Sequence, residues 1–148
     1  MGQVEEVKED SKVFFDYLRE SVAANYIFRD LIQEISRATW ESKFDSSEKT
    51  TLLLILGQIE EDYSLIAEAV GTIALQEHHD EIRNLKIEAI RDLIIVAKGL
   101  KENWTYALIF ERLDKLQRKL HGAITDFVVG LGHRIKDHNN GSAAQGSA

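Results

Sequence analysis

"LQEHHDEIRNL", residues 75–85, decides whether this chain folds as four helices or as three. Upstream of it, Leu52, Leu56, Ile59, Tyr63, Ile66, Val70 and Ile73 recur at alternating spacings of four and three, which lines one face of a helix with apolar groups. The next positions in phase are Glu77 and Asp80, so the seam stops there. Apolar periodicity resumes out of register with Ile82, Leu85, Ala89, Ile90, Leu93, Ala97 and Leu100. Two stripes out of phase cannot face one partner along an unbroken helix. The polar run "EHHDE" is therefore a joint. The fold class that follows is all-α, an antiparallel four-helix bundle with helices over 11–41, 46–76, 80–98 and 104–137. If the joint stays helical, the alternative is three long helices with an overlong middle one.

Helix-end signals support the divisions on either side. In "FDSSEK", Asp45 stands three residues before Glu48, the spacing of a capping box, so a helix begins near Ser46. Gly99 in "AKGLKEN" suits the left-handed residue past a helix end, and Asn103 suits the cap of the next helix. In that last helix Ile109, Leu113, Leu116, Leu120, Ala123 and Phe127 keep strict four-three alternation between charged shoulders, as in a bundle or coiled-coil seam. The first helix carries Phe14, Leu18, Val22, Leu31 and Ile35, with Asp10 as its cap and Trp40 near its end. Trp40 and Trp104 are both expected at the edge of the core. Residues 1–138 read as a single helical bundle domain. "NNGSAAQGSA", residues 139–148, has the composition of a flexible tail or linker.

Composition bounds the function. The 148 residues, 44% hydrophobic and 29% charged, suit one ordinary core. Proline is absent, which agrees with long helices and few tight turns. The absence of cysteine excludes disulfides, zinc-thiolate and iron-sulfur sites and thiol catalysis. A net charge of −7 opposes nucleic-acid binding, which needs clustered Lys and Arg; the nearest such cluster, "KLQRKLHG" at 115–122, reads as a solvated helix face. No run has the length of a membrane span, and the acidic start has no signal-like apolar run, so a cytoplasmic location is expected.

Motifs for chemistry are sparse. His78 and His79 are adjacent and so point about 100° apart on a helix, whereas a helical metal site needs ligands three or four apart. No Glu-x-x-His or His-x-x-x-His spacing occurs anywhere, and no metal or other cofactor is expected. "IEEDYSLIAEAV" with "IEAIRDLIIVAKGL" resembles the MazG-like nucleotide pyrophosphohydrolases over about a third of the chain; that resemblance implies an all-helical, magnesium-dependent hydrolase using Glu60, Glu61, Glu88 and Asp92. The family's acidic pairs are three residues apart. Here Glu60 is followed at that spacing by Tyr63, Glu61 by Ser64 and Glu88 by Arg91. His133 and Lys136 follow the His-x-x-Lys-Gly pattern of phosphotransfer bundles only until Asp137 takes the glycine place.

What stands out instead is apolar excess. "TLLLIL" (51–56) and "LIIVA" (93–97) put apolar groups all round a helix, where an outer bundle helix needs one stripe. Leu54 falls on the polar stripe of Gln58, Glu61 and Glu68, with Leu65 nearby, and Ile95 falls on the stripe of Glu88 and Asp92. Leu54, Leu65 and Ile95 are thus the candidate interface. The function expected is a non-enzymatic adaptor or scaffold module that binds a protein partner or forms a homo-oligomer. In helical cadence the chain is also similar to N-terminal signalling bundles of immune-type receptors, which would make the tail a linker.

Overall fold

The computed structural model describes residues 2–69 and 79–146, with side chains described for 19–20, 22–68 and 80–127. Four helices follow one another: α1 (Gly2–Trp40), α2 (Ser46–Ala69), α3 (His79–Lys101) and α4 (Tyr106–Gly146), with no strand among the described residues. The fold is a four-helix bundle. The second and third helices are separate elements; of the expected joint, His79, Asp80 and Glu81 already belong to α3, while Val70, Ile73, Glu77 and His78 lie outside the described residues.

Successive helices run antiparallel, but their order around the bundle is not their order in the chain. Helix α1 packs on α2 and α3, and α4 packs on α2 and α3, while α2 and α3 scarcely touch. The ring therefore reads α1, α2, α4, α3, with α2 and α3 on one diagonal. Ion pairs fix the directions. Arg83 meets Glu20 at 2.7 Å and Lys101 meets Glu34 at 3.2 Å, so α1 and α3 are parallel neighbours. Likewise Phe44 meets Tyr106 edge-on at the start of α2 and α4, and Asp62 approaches His121 further along both.

In α2 and α4 the core is built by the seams read from the sequence, whereas in α1 Phe28 and Ile32 take the inward place expected of Leu31, and in α3 Val96 is buried while the expected Leu85 and Ile90 are only half-buried. Leu52, Leu56, Ile59, Tyr63 and Ile66 of α2 and Ile109, Leu113, Leu116 and Leu120 of α4 are all buried, with Phe28, Ile32 and Ile35 of α1. Asp45 and Glu48 form the reciprocal box: the Glu48 amide donates to Asp45 Oδ1 at 2.8 Å and the Asp45 amide to Glu48 Oε1 at 3.1 Å. At the other end of α1, Lys49 Nζ donates to the Trp40 carbonyl at 2.8 Å, which occupies an acceptor the helix leaves open.

Several expectations are corrected. Helix α1 starts at Gly2, not at 11, because nothing in the acidic leader breaks a helix; Asp10 is inside it. Val22 is exposed, since it lies round the helix from Phe28 and Ile32; Phe14 and Leu18 have no described side chains. Helix α4 continues to Gly146 rather than 137, there being no proline to stop it, and so includes most of 139–148. Trp40 is largely exposed, whereas Trp104 packs against the core.

The α3–α4 turn differs most. Gly99 lies within α3 and has no positive φ; the left-handed residue is Asn103, at φ 60°. The Trp104 amide donates to the Gly99 carbonyl at 3.0 Å and the Asn103 amide to that of Leu100 at 3.4 Å, which together make a Schellman closure with asparagine in the glycine place. Thr105 is the cap of α4, its hydroxyl accepting from the Leu108 amide at 3.3 Å. Gly99 is needed for space instead. A Cβ there would lie 2.5 Å from Cδ2 of the Trp104 indole and closer still to Cε3.

Candidate functional site

Among the described residues three polar side chains are buried on the inner sides of the helices where no sequence motif marks them: Thr39, Asp62 and Lys86. Lys86 belongs to the true α3 seam, which runs Ile82, Lys86, Ala89, Leu93, Val96 and Leu100 at spacings of four and three. Its ammonium sits 5.9 Å from the centre of the Tyr63 ring, a cation–π contact across the bundle. Tyr63 in turn stacks on Phe28 with ring centres 3.6 Å apart and donates its hydroxyl to Asn25 Oδ1 at 2.9 Å. One column of side chains thus joins α1, α2 and α3.

Asp62 faces the other way, toward α4. Gln58 Nε2 donates to its Oδ1 at 3.0 Å, while Oδ2 has no hydrogen-bond partner and the His121 Nδ1 stands 3.9 Å off. Both Asp62 and Lys86 are about 97% shielded from solvent, 2% and 3% exposed. Neither is placed to meet a substrate. For Lys86 the effect is on stability, and it depends on pH.

Burial pushes the Lys86 ammonium down to about 8 from an ordinary 10.5 and pushes the Tyr63 phenol up from 10.0. Between pH 8 and 10.5 the unfolded chain holds the lysine proton more tightly than the folded one, so stability rises with pH across that window. The sign reverses for Tyr63: above pH 10.0 the unfolded chain loses the phenol proton first, so stability falls. Urea titrations should therefore show unfolding free energy rising from pH 8 and turning over above 10. Lys86→Met should remove the rise and Tyr63→Phe the fall; an alkaline profile unchanged in Lys86→Met would contradict the assignment.

The carboxylates of the hydrolase resemblance are not brought together. Glu60 lies in the groove between α1 and α2 with Tyr63 and Arg29, Glu61 is exposed, Glu88 pairs with Lys119 of α4, and Asp92 lines the groove between α3 and α4. Helices α2 and α3 stand on a diagonal, so the two sets face different grooves. Among the described residues no three His, Asp or Glu side chains are grouped to hold a metal ion. The side chains of His78, His79 and His133 lie outside the described residues. The groove between α3 and α4, about 450 Å³, carries Arg112, Lys115 and Lys119 opposite Asp92, a mixed surface of alternating charge.

The candidate interface residues divide. Leu54 and Leu65 are 70% and 48% exposed and share one stripe of α2, on the side away from its buried seam. Ile95 is half-buried on α3, at the opposite corner of the bundle, so it shares no surface with them. Its neighbour Ile94 is the exposed one, at 51%. Among the described residues no helix is long and apolar enough to cross a membrane. No protein-family model, curated protein or solved structure matches the chain.

Proposed function

We propose that this protein is a non-enzymatic interaction module, an adaptor or scaffold that docks a partner protein on the outer face of α2. The observation that carries the reading is the pair Leu54 and Leu65, two large aliphatic groups on one exposed stripe three turns apart. Leaving them in water is unfavourable, at about 1.5–3 kcal/mol for each fully exposed group, and a partner surface recovers it. Gln58, Glu61 and Glu68 surround them, so the fitting partner offers an apolar ridge flanked by Lys or Arg. The acidic chain acts in the cytoplasm and away from nucleic acid, and 139–148 serves as a tail or linker to the bundle of 1–138.

The test is capture of interacting proteins from extract of the native host, with parent and Leu54→Glu as baits. Leu54→Glu should change the unfolding free energy by less than about 0.5 kcal/mol, as surface substitutions do, and lose the captured partner. Equal capture by both baits overturns the reading, and so does magnesium-dependent release of pyrophosphate from a nucleotide. Unfolding of Leu54→Glu would show that this stripe is core.

A further inference from the structure

A second apolar strip lies on a different face, along the groove between the parallel helices α1 and α3. On α1, Glu20, Ile27 and Glu34 recur every seven residues, and on α3, Ile87, Ile94 and Lys101 do the same, so each set shares one side of its helix. The Arg83–Glu20 and Lys101–Glu34 ion pairs bring the two sets together at both ends. Between those pairs stand Ile27, Ile87 and Ile94, which are 49%, 41% and 51% exposed. The face is therefore an isoleucine strip closed at each end by an exposed ion pair.

Its charges are sorted by helix. Beside Ile27 the α1 edge of the strip is acidic, with Glu20 and the half-buried Glu34, while the exposed Arg19 and Arg37 lie further round that helix; on the α3 side the exposed charges beside the isoleucines are Arg83, Arg91, Lys98 and Lys101, against Asp80 in the first turn and Glu102 beside Lys98, with Glu81 turned toward α4. We infer that this face binds a second copy of the chain, with the two-fold axis parallel to the helices. That axis lays α1 of each copy against α3 of the other. Isoleucine then meets isoleucine, and Glu20 and Glu34 face the basic edge of the second copy at matching heights. Glu20 is exposed and Glu34 still reaches solvent, so each can bridge a cation of its own chain and one of the other. A two-fold axis across the helices would set α1 against α1 and α3 against α3, acid on acid and base on base. The charge pattern thus selects one symmetric dimer and opposes the alternative.

The surface is distinct from the Leu54 stripe, so the two readings fail separately. Sedimentation equilibrium of the full chain should show a dimer that weakens with added salt. Ile94→Glu should raise its dissociation constant about tenfold or more, with helicity and melting kept, and Leu54→Glu should leave it unchanged. Glu20→Lys with Glu34→Lys, a change confined to side chains that reach solvent, should dissociate the dimer even if Ile94→Glu disturbs the fold. The chain has no cysteine, so introduced thiols report geometry cleanly. A short bis-maleimide should join a mixture of Ile27→Cys and Ile94→Cys chains far more than either variant alone. A parent that stays monomeric at millimolar concentration, a dimer indifferent to both sets of substitutions, or efficient coupling of Ile27→Cys to itself would overturn the inference.

Discussion

Leu116→Ala should lower the unfolding free energy by about 2–5 kcal/mol, and Leu120→Ala by about as much, the range for emptying a buried leucine site. Both side chains are almost completely buried, in the α4 seam that packs against α2 and α3. Against a total of roughly 5–15 kcal/mol for a domain, either loss is a large fraction. The measurement is the urea midpoint followed by circular dichroism, with an unchanged slope showing that the unfolded state is the same. Leu108→Ala is the control, because Leu108 is on the same helix and exposed; it should cost less than about 0.5 kcal/mol. If Leu116→Ala and Leu120→Ala melt with the parent, the core is placed wrongly.

Gly99→Ala is the second large effect, and its sign should depend on another residue. In the parent the new methyl would overlap the Trp104 indole, and such overpacking costs roughly 1–3 kcal/mol. Moving the indole away has its own cost, since it packs against the buried core. In a Trp104→Ala background the obstacle is gone. Gly99 has ordinary helical backbone, and there alanine should be favoured over glycine by about 0.8–1 kcal/mol. A double-mutant cycle reads the inversion directly. Destabilisation of equal size in both backgrounds would mean that Gly99 is required for its backbone and not for the space it leaves.

These two residues show where the sequence was legible. The α4 seam could be read because its apolar positions are uninterrupted, and so could the Asp45–Glu48 box, whose bonds are local. Gly99 was visible as special but for the wrong reason: its constraint comes from Trp104 five residues on, a contact that chain spacing does not display. Lys86 was hidden by its type. It keeps the four-three cadence between Ile82 and Ala89, yet a lysine in an apolar seam reads as a surface residue until the Tyr63 ring is found beneath it. Asp62 was obscured in the same way by the exposed Glu60 and Glu61 beside it. Ile95 was grouped with Leu54 because the chain order of α2 and α3 suggests neighbours, and periodicity within helices says nothing about which helices adjoin.

The order of the helices around the ring also bears on how fast the chain finds its structure. Only the α1–α2 and α3–α4 contacts lie within hairpins closed by short turns. The contacts that complete the bundle, such as Arg83 with Glu20 and Asp62 with His121, join residues roughly 60 positions apart, and closing such loops costs entropy before any contact rewards it. A ring in chain order would need only one distant pairing, between its first and last helices; this one needs two. Docking of one hairpin on the other is then the step expected to limit the rate, and stopped-flow refolding should be slower than for a bundle of equal helical content whose ring follows chain order.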